Sequence, residues 1–388
     1  MDKQDIVKQC LDKLQSEMKS LGHVNIVVAG KTGVGKSTLV NSLFRARLSE
    51  TGVGAPVTSS IRELTKEGLP LRVYDTVGLV LGEKSLESCR AEISSLIQKQ
   101  LGSGDDDRYI HCVWYCVSVD SNRLEPAEEE FIKALAADSG AVPIIIVLTL
   151  AHNRMRSDEM LRYIEGRNLP VKRVIPLLAE DYVDYEYSVP AYGREELAEF
   201  TAAVIPESAQ SAFVNAQSAS LALKRRRARS VVMTTAATGF GEGFIPLPFA
   251  DATLLVPTQI GMIASITAIY GVSVDRAMIT ALASSLLGTA GATIAGRTLA
   301  SGLLKLIPGA GTLAGGVISG ATASIITTAL GETYIAIVEA LVRGELNSSQ
   351  MSGAEFLKRA QELFKENLKV FSKKKRLSAK AEKTVKKK

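Results

Sequence analysis

Residues 30–37 run Gly30-Lys31-Thr32-Gly33-Val34-Gly35-Lys36-Ser37. This stretch fits G-x-x-x-x-G-K-S in full. The β-branched run Val24-Asn25-Ile26-Val27-Val28-Ala29 precedes it, and residues 36–46 read as a helix. Between a strand and a helix, glycines let the backbone curl so that successive N–H groups point at phosphate oxygens. The helix start adds its positive dipole end. Lys36 would place a full charge on the β- and γ-phosphates, and Ser37 would offer a hydroxyl to magnesium. Gly30, Lys31, Thr32, Gly33, Val34, Gly35, Lys36, Ser37 and Thr38 are therefore expected to line a nucleoside-triphosphate site.

Working outward, residues 61–75 read as two strands joined at Gly68-Leu69-Pro70 and residues 83–101 as a helix. A buried strand at 110–119, a helix at 125–137 and the apolar run PIIIVLTL at 143–150 follow. A helix near 157–165, a strand at 171–178 and a helix at 193–204 close the series. Strands alternating with helices predict a mostly parallel sheet covered on both faces.

Three further stations bear on what such a site does. Thr58, in Gly54-Ala55-Pro56-Val57-Thr58, stands between the first helix and the next strand, where it could reach magnesium and a γ-phosphate; Thr51 is its rival. Asp75-Thr76-Val77-Gly78 ends a strand about 40 residues after the loop, so Asp75 could hold a magnesium-bound water and the Gly78 N–H could sense the γ-phosphate. The third station should read the base. There Thr149-Leu150-Ala151-His152 stands where a guanine reader would show Asn/Thr-Lys-x-Asp, and only Thr149 fits; Asp158 is a nearby carboxylate. Leu178-Ala179-Glu180 occupies the last base-side loop. The residue after Gly78 is Leu79, which cannot orient a water by hydrogen bonding, so intrinsic hydrolysis is expected to be slow or to need a residue from another loop or subunit.

These features resemble the Era/septin-like branch of translation-factor-type GTPases over about residues 24–205: GKTGVGKS, the threonine of Pro56-Val57-Thr58, Asp75-Thr76-Val77-Gly78 with Leu79, and a degenerate Thr149-Leu150-Ala151-His152. The resemblance implies GTP/GDP and Mg2+ as ligands. It implies nucleotide contacts at residues 30–38, metal contacts at Ser37, Thr58 and Asp75, and catalytic roles for Lys36, Thr58 and Gly78. It places γ-phosphate sensing at Asp75 and Gly78 and base-side contacts at Thr149 and Ala179. The family's acidic base reader has no counterpart here.

After Pro206 the composition changes. Residues 208–230 are Ala/Ser-rich and end in Lys224-Arg225-Arg226-Arg227-Ala228-Arg229, read either as the solvated end of a linker helix or as phosphate contacts. Residues 252–270, 277–296 and 306–331 contain no charged side chain. They have the length of membrane spans but are rich in Gly, Ala, Ser and Thr, which suits close helix packing better than lipid. Pro246, Pro248, Pro257 and Pro308 are read as helix starts or breaks. The stretch from Phe244 to Gly271 resembles a small-residue-rich C-terminal domain of unknown function found behind such GTPases in bacteria, relatives of which are often described as membrane-associated. The layout is similar to immunity-related and dynamin-like GTPases in architecture alone.

The expected fold class is α/β: a P-loop NTPase G domain with a mostly parallel sheet, followed by an all-α C-terminal domain. The expected segments are an amphipathic helix at 1–22, the G domain at 23–206, a basic linker helix at 207–230, the helical domain at 231–346, an amphipathic helix at 350–372 and a basic tail at 373–388. That tail holds nine Lys/Arg against Glu382 within a chain of net charge +5, so the rest of the chain is slightly acidic. The four cysteines and three histidines show no metal-ligand spacing, and MDKQDIVKQC lacks an apolar signal core, so a cytoplasmic location is expected, with peripheral or integral placement at the inner membrane left open. Three functions stay in view: a regulatory GTPase acting through its helical domain at an anionic membrane surface, with a homodimer through the G domain; a ribosome- or RNA-associated GTPase, weakened by the absence of interleaved aromatics; and a non-hydrolysing assembly protein.

Overall fold

The computed structural model describes residues 3–48, 54–56, 61–76, 83–185, 187–238, 247–248, 252–272, 317–318, 320–346, 358–360 and 362–371. The chain divides into two compact units, Leu21–Leu223 and Met1–Ser20 together with Lys224–Lys388.

The first unit is built on a seven-stranded sheet. Its strands are β1 (Val24–Gly30), β2 (Gly54–Pro56), β3 (Ile61–Thr65), β4 (Leu71–Thr76), β5 (Cys112–Ser118), β6 (Ile144–Thr149) and β7 (Arg173–Pro176), in the spatial order β2-β3-β4-β1-β5-β6-β7. The β4-β1-β5-β6-β7 part is parallel, while β2-β3-β4 is an antiparallel meander. Every residue of β1, β5 and β6 is buried, as the unbroken apolar runs require of strands covered on both faces.

Alternation sorts the two cores. Ile26, Val28, Cys112, Trp114, Ile145 and Val147 face one layer, whereas Val27, Ala29, Val113, Tyr115, Ile144 and Ile146 face the other. The first face is closed by α2 (Lys36–Leu43), α6 (Arg194–Val204) and α7 (Glu207–Ala216). The second is closed by α3 (Glu83–Gly102), α4 (Pro126–Asp138) and α5 (Arg154–Glu165). Trp114, the chain's single tryptophan, stacks on Phe44 (centroids 5.9 Å apart) and donates its indole N–H to Thr201 Oγ1 at 3.2 Å. Residues 207–216, where composition suggested a linker, instead bury Ala209, Ala212, Phe213 and Ala216 in this core. Composition missed them because a small-residue helix can be wholly interior without a marked apolar stripe. The sequence reading also did not anticipate β2 or the hairpin of β8 (Tyr182–Asp184) and β9 (Tyr187–Val189).

The second unit contains α1 (Lys3–Ser20), α8 (Leu221–Thr238, from Lys224 onward), α9 (Ala252–Tyr270) and α10 (Gly320–Val342), with residues 362–371 also helical. Helix α1 packs on α9 and buries Cys10, whose thiol is pushed up to about 11 by that burial. A two-residue antiparallel ladder pairs Leu247 with Ile318 and Pro248 with Val317. Pro257 lies inside α9, so it neither starts nor ends that helix. The uncharged stretch 277–296 and Pro308 fall outside the described residues, as do residues 373–388.

The basic cluster has specific partners in this unit. Lys224 is buried and donates from Nζ to Ile269 O at 2.9 Å, taking up a carbonyl at the C-terminal end of α9. Arg225 forms a bidentate pair with buried Glu339, which also accepts from Tyr270 OH at 2.7 Å, and Arg229 pairs with Glu332 at 2.9 Å. At Lys224 the solvated reading is corrected, because the cation is buried against α9; Arg225 and Arg229 keep exposed side chains while pairing with carboxylates on α10. Among the described residues one helix, Ser324–Val342, is long and apolar enough to cross a membrane, and 61% of it is buried within the protein.

At the end of the sheet opposite the phosphate loop, His111 is buried and accepts the Asn25 backbone N–H through Nδ1 at 3.0 Å. Burial holds its pKa down at about 4, against the opposing pull of Asp107. A depressed folded pKa means that the unfolded chain takes up the proton first, so stability is complete above about pH 6.5 and is lost as pH falls toward 4. The unit should lose about 2 kcal/mol between pH 7 and pH 5 from this group. Denaturant unfolding followed by Trp114 fluorescence should show that slope in the wild type and a flatter one over the same window in His111→Gln.

Candidate functional site

The phosphate loop begins where β1 ends. Gly30 has φ +143°, and a Cβ there would lie 2.4 Å from the Cys116 carbonyl oxygen of the neighbouring strand. Only glycine permits that approach. Gly33 (φ +79°) and Gly35 (φ +86°) are also left-handed, and Gly35 caps α2 without a side chain while its carbonyl accepts the first helical bond from Leu39 N at 2.9 Å. The first turn of α2 contains no acidic residue, so its free N–H groups and dipole face the loop without an internal counter-anion.

Lys36 is 8% exposed. Its Nζ donates to Gly30 O and Lys31 O, both at 2.9 Å, which curls the loop around its own lysine. Burial lowers its pKa, and Asp75 is the leading group acting against that shift. Asp75 lies on β4 in register with Val28 of β1 and is pushed up by burial, with Lys36 and Arg62 pulling the other way. Its Oδ1 is buried and has no hydrogen-bond partner. Two opposite charges are thus desolvated beside one another, with donor and acceptor capacity left over: the chemistry that a triphosphate and a hard divalent cation would complete. Ser37 is exposed on the first turn of α2.

The other expected positions divide. Thr32 and Gly33 are exposed at the loop's crest, Val34 is buried in the first core, and Thr38 is half-buried. Lys31 turns its side chain away, donating to Glu128 Oε2 on α4 at 2.8 Å. Thr149 is buried and spends its hydroxyl on Val117 O at 3.2 Å. Ala179 is half-buried against the first core. Asp158 is exposed on α5, where its carbonyl accepts Arg162 Nε. Thr51, Thr58, Gly78 and Leu79 lie outside the described residues.

The base-side strand ends have their own geometry. Leu150 adopts a left-handed backbone (φ +54°) and its Cδ2 would stand 3.6 Å from a Cβ at Gly35, so it borders the phosphate loop. His152 stacks on Tyr182 (centroids 4.5 Å, 16° between planes), Tyr187 OH donates to His152 O at 3.2 Å, and Tyr192 OH donates to Ala151 O at 2.7 Å. Tyr182 and Tyr187 belong to the β8–β9 hairpin, and Glu128 sits in the first turn of α4. Sequence reasoning missed all three. The tyrosines at 182, 185 and 187 could have revealed the hairpin, but nothing in the sequence points Glu128 at Lys31.

A parallel sheet carrying G-x-x-x-x-G-K-S between β1 and α2, with an aspartate at the end of the adjacent strand, is the arrangement of a P-loop G domain, and the similarity to such GTPases covers residues 25–150 of the first unit. The family model described as 50S ribosome-binding GTPase matches residues 25–150, and one described as a domain of unknown function, DUF697, matches residues 208–365. Among curated proteins, the chain is 28% identical over 199 residues to Cell division control protein 10 of Candida albicans, covering 45% of this chain and 51% of that protein. It is 29% identical over 166 residues to human Septin-12, covering 36% of this chain and 45% of the other. The chain therefore spans about half the length of these relatives. A crystal structure of a probable GTP-binding protein engB aligns with 20% identity and a TM-score of 0.30, covering 40% of this chain and 89% of that one.

Two substitutions should separate architecture from binding. Gly30→Ala drives a methyl into the Cys116 carbonyl and should lower the unit's stability by about 2 kcal/mol or more, read by Trp114 fluorescence. Lys36→Met keeps the volume and removes the desolvated cation, so it should cost about 100-fold or more in nucleotide affinity with a far smaller change in unfolding midpoint.

Proposed function

We propose that this chain is a guanine-nucleotide switch with low intrinsic GTP hydrolysis, raised by homodimerisation through the G domain, whose nucleotide state governs the helical unit at an anionic membrane surface. The observation that carries the reading is buried Lys36, held by the carbonyls of Gly30 and Lys31, beside the uncountered N-terminus of α2 and the unpartnered Oδ1 of Asp75. Ser37 and Asp75 are the described groups that would hold Mg2+, with Thr58 joining them, and the unpartnered Asp75 Oδ1 supports that fit. The bound ion would supply neutralisation of phosphate charge. The chain's own residues then bind and orient: Lys36 draws the β- and γ-phosphates toward the loop, and Thr58 and Gly78 respond to the γ-phosphate.

Leu79 in place of a water-orienting glutamine supports a low rate. The G-domain match supports guanine as the base, with Thr149, Ala179 and His152 at that end of the site. In such a switch Thr58 and Gly78 would carry the γ-phosphate signal. Lys224, Arg225 and Arg229 are engaged by groups of the helical unit, and residues 373–388, with nine Lys/Arg, are the basic element we assign to an anionic surface. The description of the family matched at residues 25–150 favours a second reading, a ribosome-associated GTPase using the same tail.

Calorimetric titration in Mg2+ should give GTP and GDP binding at least about 100-fold tighter than ATP. Equal affinity for ATP would remove the guanine reading. GTP turnover per molecule should rise with protein concentration; a constant specific rate would sink dimer stimulation. Anionic liposomes should float the protein more strongly with a non-hydrolysable GTP analogue than with GDP, and absence of flotation in both states would sink the membrane role.

A further inference from the structure

We propose that Glu128 is a positioning residue of the phosphate loop, acting through Lys31; the inference rests on the nucleotide-binding reading above. Glu128 is 2% exposed, in the first turn of α4. Its carboxylate accepts three donors: Lys31 Nζ at 2.8 Å, Tyr115 OH at 3.2 Å and the Glu125 backbone N–H at 3.1 Å. Lys31 is the second residue of the loop, and its side chain is 16% exposed. A buried carboxylate is stable only while its charge partner stays in place, so the Lys31 side chain is held in one geometry where a solvated lysine would sample many.

That constraint reaches the phosphate-binding cation. The Lys31 carbonyl, with that of Gly30, is where Lys36 Nζ rests, at 2.9 Å from each. Glu128 grips the Lys31 side chain, the Lys31 main chain holds Lys36, and Lys36 is the charge that meets the nucleotide. Helix α4 thereby sets the resting shape of the loop. The same pair keeps the Lys31 cation directed at α4 and away from the phosphates. Lys31 and Glu128 should therefore act as one unit in binding, although Glu128 lies outside the loop motif.

The test measures GDP and non-hydrolysable GTP-analogue affinity by calorimetry for wild type, Lys31→Met, Glu128→Gln, the double variant and Lys31→Arg, with Trp114 fluorescence confirming that each is folded. Each single variant should bind about five- to tenfold more weakly, the double variant no worse than the weaker single, and Lys31→Arg within about twofold of wild type, because arginine restores the pair. Singles within twofold of wild type would overturn the proposal, as would a double variant showing the product of the two losses. Weakening in Lys31→Met alongside unchanged or tighter binding in Glu128→Gln would also overturn it, because Lys31 would then contact phosphate directly. If Glu128→Gln does not fold, Glu128→Asp takes its place: the shortened carboxylate loosens its hold on Lys31 while leaving the Lys31 cation intact, so binding weakened about as in Lys31→Met supports the positioning role and unchanged or tighter binding overturns it. Wild type that binds no nucleotide would instead remove the functional reading itself.

Discussion

A primary ammonium taken out of water at the end of a central strand is the constraint on which this G domain depends. Lys36 can be buried because two carbonyls of its own loop accept its protons and Asp75 stands opposite. Those carbonyls converge only because Gly30 leaves β1 in a conformation that a side chain would block against Cys116. That approach in turn requires β1 to lie between β4 and β5, with both neighbours parallel to it. The seven-stranded order, the apolar saturation of β1, β5 and β6 and the layers on each face all serve to place one cation at the mouth of one helix.

Around that cation the protein distributes polar groups unevenly. On the phosphate side the charges are desolvated and leave Asp75 Oδ1 uncommitted. On the base side the polar atoms are mostly consumed: Thr149 bonds its neighbouring strand, and the main chain at Ala151 and His152 is tied down by Tyr192 and Tyr187. The stacked His152–Tyr182 pair offers aromatic surface where the sequence lacks an acidic reader. Packing supplies rigidity at that edge, whereas charge dominates at the other.

The helical unit follows a different logic. A Cβ at Gly331 would come within 2.4 Å of Val232, so α8 and α10 approach closely there. Polar atoms inside it are paired: Thr267 with Tyr334, and Glu339 with Arg225 and Tyr270. Two of the charges on α8 that look like a cationic stripe in the sequence, Arg225 and Arg229, are the mates of carboxylates on α10, about a hundred residues away in the chain.

Local patterns carried much of this. Periodicity and turn residues were enough to place β1, β3 to β7 and α2 to α6, because each of those signals is read over a few neighbouring residues whose burial is dictated by one sheet. The phosphate loop was legible because glycine spacing and a lysine at a helix start are local chemistry. Three features were not legible: α7 as part of the sheet's cover, the partners of Lys224, Arg225 and Arg229, and Glu128 as the anchor of Lys31. In each, the energy comes from a group far away in sequence, and a buried charge or a small-residue helix shows no local sign of what it will meet. The sequence by itself determined a strand, a glycine turn and a lysine able to hold phosphate; only tertiary packing decided which carboxylates and carbonyls would make that lysine, and its neighbour Lys31, stable out of water.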